Sequence, residues 1–217
     1  MTKPVIDQKA SLTFSDYYSL RVTAAEIAEH FGYTLHRKRL TLPYSDDNGI
    51  EVIAAEIEQQ INNILPYVNL DSETARREVL ISPLMFRLVE LVKPQINIEY
   101  WLSVSDQLKG TVDYYISSQS SQILIVEAKL ADTEKGFKQL IAEMVAFQQR
   151  EELEISIYGA VTTGETWHFG RLNPKSKILE RDINFYTEPQ GIKELLSVLV
   201  GILTEPPLIV EGSTPDG

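Results

Sequence analysis

The stretch ILIVEAKL, residues 123–130, constrains the fold more than any other in the chain. Side chains alternate across a strand, so Ile123, Ile125, Glu127 and Lys129 share one face, and Leu124, Val126, Ala128 and Leu130 share the other. Both faces begin apolar, as in a central strand covered by other layers on each side. One face alone turns charged, and only at the C-terminal end. That placement predicts a cleft where the strand ends.

The surrounding sequence supplies the layers. Thr23-Ala-Ala-Glu26 has the form of a capping box and Gly32 a stop position, predicting a helix over about 24–31. YTLHRKRLTLP reads as an extended segment, its cluster His36–Arg39 a solvated strand face. Ile50, Ala54, Ile57, Ile61 and Leu65 keep helical spacing up to Pro66, and a second helical stretch covers about 72–92 with Pro83 to kink or split it. Three strands follow, QINIEYWLSV, LKGTVDYYIS and QILIVEAK. A helix capped by Thr133 comes next, with an apolar stripe through Phe137, Leu140, Ile141, Met144 and Val145. Gln139, Lys135 and Glu143 share a further stripe, suited either to the cleft or to the wet face. Two strands turning at Gly164-Glu165 follow, then one strand at about 178–187 and a helix from about Pro189. Trp167 and Phe169 read as core aromatics. The order predicts an α/β protein with a mixed sheet flanked by helices.

The short polar link SSQSSQ makes LKGTVDYYIS and QILIVEAK an antiparallel hairpin. With a loop at 118–122, Ser117 faces Ile123, Asp113 faces Glu127 and Thr111 faces Lys129. Cross-strand partners lie about 4.5–5.5 Å apart at Cβ, so two carboxylates meet there and repel unless a cation or proton intervenes. Mg2+, with Mn2+ as a substitute, is the economical cation, because it takes one or two carboxylates plus waters and substrate phosphates. Asp113 and Glu127 are then metal ligands, with Lys129 beside them. A hard cation, two carboxylates and a lysine suit phosphodiester hydrolysis.

These residues resemble the PD-(D/E)xK, or restriction-endonuclease-like, nuclease superfamily. Its pattern is an acidic residue on one strand and (D/E)-x-K on the next. A Glu on the preceding helix and a Gln on the following helix often accompany it. Asp113 and Glu127-Ala-Lys129 match the strand motif. Glu78 in ETARREVLISP and Gln139 in KQLIAEM match the helix positions, and YGAVTTGETWHFGRL is similar to uncharacterised bacterial members. Val112 stands where many members have Pro. The resemblance covers about 72–172. It implies a core of helix, three antiparallel strands, helix and strand with an N-terminal helical addition. It also implies catalytic roles for Asp113, Glu127, Lys129, Glu78 and Gln139, with Glu78 a third ligand of Mg2+. The chain then divides into an extension at 1–71 packed on a core at 72–205, with a flexible tail at 206–217.

The implied partner is nucleic acid, DNA first. The net charge of -11 runs against that, but residues 72–150 carry 9 Lys/Arg against 10 Asp/Glu, so the acidity lies in the flanks. The alternative is a non-catalytic binding or regulatory protein on the same fold, its site vestigial. A third reading is a structural α/β protein in which Lys129 neutralises Asp113 and Glu127 in a salt link. The acidic flanks favour a protein partner that delivers substrate, and homodimerisation is compatible with the chain. Zero cysteines exclude thiolate metal sites, and three scattered histidines exclude a structural zinc site. With no apolar run of about 18 residues and no leader-like N-terminus, the expected setting is the cytoplasm, away from membranes.

Overall fold

In the computed structural model residues 6–118 and 123–206 are described. Apart from Ser118 and Pro206, the loop inferred at 118–122 and the tail inferred at 206–217 lie outside them. Eight strands form one open sheet: β1 (Thr34–Lys38), β2 (Gln95–Ser105), β3 (Leu108–Ser117), β4 (Ile123–Ala128), β5 (Ile157–Thr162), β6 (Thr166–Asn173), β7 (Ile178–Asp182) and β8 (Tyr186–Thr187). Their order is β1-β7-β6-β5-β4-β3-β2, with β8 paired to β6. β4–β5 and β1–β7 are parallel and the other neighbours antiparallel, so the sheet is mixed.

β4 is interior, as its two apolar faces require. Leu124, Val126 and Ala128 enter a layer built with α3 (Asn48–Ile64), α5 (Ser82–Val92) and α7 (Ile192–Thr204). Ile125 enters the opposite layer, with α1 (Phe14–Ser19), α2 (Ala24–His30) and α6 (Thr133–Arg150). A parallel pair needs a long crossover, and α6 provides it between β4 and β5. Trp167 and Phe169 are fully buried, as read from the sequence.

Local chemistry sets the element ends. Glu26 Oε2 accepts from the Thr23 N–H at 2.7 Å and Thr23 Oγ1 accepts from the Glu26 N–H at 3.2 Å, closing the box on α2. The cap of α6 is Asp132, not Thr133; its Oδ1 accepts from the Lys135 N–H at 3.1 Å. The single strand expected at 178–187 is two, β7 and β8. Asp182 Oδ1 accepts from Asn184 N–H at 3.0 Å, an Asx turn that ends the first. Between α4 (Glu73–Arg76) and α5 lies a π-helical turn, Arg77–Ile81. Pro83 has no N–H for the Val79 carbonyl and its ring crowds that position. The chain answers by widening, so that the Ser82 N–H reaches back five residues to the Arg77 carbonyl. Pro83 therefore produces a bulge at this point rather than a simple kink.

Among the described residues no helix is long and apolar enough to cross a membrane. The segment before α3 lies against α7, where the Ser45 N–H donates to the Ser197 carbonyl at 2.9 Å. A Cβ on Gly201 would come within 2.5 Å of Pro43 C and Tyr44 N. Backbone cannot yield as a side-chain tip can, so Gly201→Ala should cost about 1–3 kcal/mol. Urea unfolding of the parent and variant measures this; an unchanged midpoint would show that 43–45 does not pack there.

Candidate active site

The β3–β4 ladder has the expected register over four pairs, from Ser117–Ile123 to Tyr114–Val126. It then opens. The Ala128 N–H donates to the Asp113 side chain, at 2.8 Å from Oδ2, instead of to a strand carbonyl. The Lys129 N–H turns to the Thr162 carbonyl of the β5 side, at 2.8 Å. Asp113 and Glu127 are consequently not ladder partners, and Thr111 does not face Lys129; it pairs with Trp101 of β2 and is exposed. The cause lies on the other edge of β3. Glu99 has φ 52, a left-handed residue in mid-strand, between the pairs Ile98–Tyr114 and Tyr100–Val112. Alternation breaks beside it, so Val112 packs in the α6 layer and Tyr114 in the opposite one. Asp113, at the break, is aimed into the opening between β3 and β4.

Four of the five residues singled out from the sequence converge at this opening. Lys129 Nζ pairs with Glu127 Oε1. Gln139 Nε2 donates to Glu127 Oε1 at 2.6 Å and to Glu143 Oε1 at 2.9 Å. Asp113 Oδ1 accepts from Arg77 Nη1 at 3.2 Å, and Arg77 also pairs with Glu99. Glu78 is the exception. It is exposed, and the helix carboxylate whose charge bears on Asp113 and Lys129 is Glu73. The π turn explains the difference: one inserted residue rotates everything beyond it by about 100°.

Glu143 and Arg77 were not singled out as site residues. Glu143 carried a signal, because it stands four residues after Gln139 on one helix face. The stripe of Gln139 and Glu143 is not the wet face of α6; their exposures are 4% and 0%. Arg77 stands four residues after Glu73, where α4 meets the π turn, and from the sequence it reads as part of a polar helix surface.

The electrostatics follow from burial. Two cations, Lys129 and Arg77, meet five carboxylates: Asp113, Glu127, Glu143, Glu73 and Glu99. Burial pushes Glu127 well above the usual carboxylate range, and the charges of Glu143 and Asp113 push it further. Burial likewise pushes Glu143 up to about 7. Burial also raises Asp113, against the Ala128 N–H, Lys129 and Arg77, which favour its charge. Burial disfavours the Lys129 ammonium, but Glu127 outweighs it and the ammonium is retained. The cluster is short of positive charge, and a proton or an added cation settles the deficit.

The donors match a hard cation in kind. Glu127 Oε2, Glu143 Oε2 and Gln139 Oε1 are buried without a hydrogen-bond partner, and oxygen is what Mg2+ requires. Among the described residues no group of three or more His, Asp or Glu is arranged to hold a metal by itself. No protein-family model matches the chain, and no curated protein matches it either.

A carboxyl raised in the fold stabilises the protein below its ordinary value near 4.5 and loses that contribution as pH climbs through the folded value, for Glu143 about 7. Metal-free protein should therefore lose on the order of 1–3 kcal/mol between pH 5 and 8 through this residue. Glu188, raised to about 8 by burial against the opposing hydrogen bond from Trp167, adds a loss of the same sign. Glu143→Gln cannot ionise, so it should flatten part of the decline and be more stable than the parent at pH 8. Urea midpoints across pH, in EDTA, test this. A variant profile parallel to the parent's would place the titration elsewhere.

Proposed function

We propose that the chain is a divalent-metal-dependent nuclease of the restriction-endonuclease-like kind, hydrolysing phosphodiester bonds in DNA. One observation carries the reading: Asp113, Glu127 and Lys129 gather where the β3–β4 ladder opens, over a buried carboxylate pair short of positive charge.

Asp113 and Glu127 would hold Mg2+, which when bound neutralises phosphoryl charge and acidifies a water. Gln139 fixes Glu127 and Glu143 in one orientation by donating to both. Arg77 holds Asp113 from the α4–α5 side. Lys129 keeps its charge despite burial and offers it to oxygens that gain charge as the phosphorus is attacked. The second reading, a binding protein whose acids and lysine form a salt link, draws on the direct Lys129–Glu127 pair.

The two readings differ in what Lys129 does. On the nuclease reading, Asp113→Asn abolishes Mg2+ or Mn2+ binding and cleavage together. Lys129→Ala retains metal binding, measured by calorimetry, while cleavage falls by about 10²–10³. Glu78→Ala leaves both unchanged. Assays on single-stranded, duplex and branched DNA and on RNA identify the substrate. Loss of metal or fold in Lys129→Ala, as severe as in Asp113→Asn, would replace the nuclease with the binding protein.

A further inference from the structure

A second feature adjoins the site and takes no part in the chemistry above. A cavity of about 500 Å3 opens between α2, β1 and the N-terminal turns of α6. That volume lies within the range of small-molecule and nucleotide pockets. Val22, Ala24, Ala25 and Leu35 make its wall largely apolar. Its charged groups are Arg37, Lys135 and Lys138, with Asp132 and Glu134. Two of the cations are matched: Arg37 pairs with Glu134 at 2.7 Å and Lys135 with Asp132 at 2.8 Å. Lys138 differs. It is only 8% exposed, and its Nζ donates to the Leu20 carbonyl at 2.7 Å. Among the described residues no carboxylate forms an ion pair with it. The cavity thus holds one near-buried cation in excess, in a chain whose net charge is -11. Burial and Lys135 work against the Lys138 proton, while the charge of Asp132 reaches it only from beyond ion-pair distance; an anionic ligand would relieve that cost.

Tyr18 of α1 joins the cavity to the site. Its ring lies 5.6 Å from Lys129 Nζ and 5.7 Å from Lys135 Nζ. One aromatic ring therefore spans the distance between the proposed catalytic lysine and the cavity rim.

We propose that this cavity receives one unpaired nucleotide of the strand being cut, its base against Val22, Ala25 and Leu35 and its phosphate at Lys138. The ligand chemistry follows from the lining: a flat apolar body and an anion. The inference rests on the nuclease reading and narrows its substrate. A base in a duplex is stacked and paired and enters a concave site only after extrusion, so the preferred substrate is single-stranded DNA, a strand end or a flap. Lys138 and Tyr18 act as binding residues here, and neither touches the reacting phosphorus.

Ala25 is exposed, so Ala25→Trp fills the cavity without disturbing the core. Lys138→Met keeps the stem and removes the charge; circular dichroism and melting check that it folds. The probes are a fluorescent single-stranded oligodeoxynucleotide and its duplex. In EDTA, anisotropy should show the full-length parent binding the single strand at least about tenfold tighter than the duplex, each variant losing about tenfold or more for the single strand. In Mg2+, the loss should fall on KM for the single strand, so that the ratio of single-strand to duplex cleavage drops. Parent binding both probes alike, binding neither, or variants binding the single strand as the parent does would each overturn the proposal. These outcomes separate from failure of the nuclease reading. Absence of cleavage in Mg2+ and Mn2+ with the binding pattern intact removes the nuclease and keeps the nucleotide cavity. Cleavage abolished by Asp113→Asn, with indifferent cavity variants, does the reverse.

Discussion

The hydrogen bond from the Ala128 N–H to the Asp113 carboxylate organises the end of the sheet. A continuing ladder would have offered that amide a main-chain carbonyl and kept β3 and β4 zipped. A side chain in its place lets the strands part while leaving no buried donor unpaired, which would cost about 1–3 kcal/mol. Everything at the site depends on that parting. Glu127, one residue earlier on β4, pairs with Val161 of β5 but with no residue of β3, and its side chain turns to Gln139 and Glu143 on α6. Lys129, one residue later, follows β5 through Thr162 and still reaches back to Glu127. The opening is paired to a defect on the far side of β3, the left-handed Glu99, whose carboxylate meets Arg77.

The second constraint is charge. Interiors tolerate carboxylates only when a proton, a hydrogen bond or a cation answers them. Here Lys129 and Arg77 answer part of the load, and Gln139 spends both of its observed donations on the same two acids. The remainder makes the cluster responsive: its proton content depends on pH, and a divalent ion held as proposed would compete with those protons for the same oxygens. A purely structural salt link would gain nothing from Glu143, which adds negative charge where Glu127 already needs relief. That excess is the reason to prefer a site over a brace.

The sheet was legible because its signals are local. Alternation in ILIVEAKL placed β4 inside the sheet, and the short link to β3 set the register from Ser117–Ile123 to Tyr114–Val126. What the pattern could not carry was the point at which the ladder stops. Extending the register made Thr111 a partner of Lys129, yet the left-handed residue Glu99 belongs to β2, and nothing in LKGTVDYYIS announces it. Helix positions failed for a related reason. Pro83 signalled an irregularity, but whether a helix kinks or widens decides which of Glu73, Arg77 and Glu78 looks inward, and that depends on packing against the sheet. Glu143 was visible four residues beyond Gln139; its burial was not, because amphipathic spacing alone does not tell a polar residue aimed at a cleft from one aimed at water.

The residues ahead of β2 have a specific part in this arrangement. α1 and α2 cover the α6 side of the sheet, with Phe14, Tyr17 and Ile27 in the same apolar layer as Leu140 and Val161. From that layer α1 brings Tyr18 beside Lys129, and α2 with β1 forms two walls of the neighbouring cavity. The strands thus hold the carboxylates and lysine, while the earlier segment shapes the approach to them. Such a division matches the physics of each part. Reacting groups need positions held to within about half an ångström, which packed strands and helices supply. On the proposed function, selection among substrates would need shape and charge at the rim, and these can change through α2 or β1 without disturbing the opening between β3 and β4.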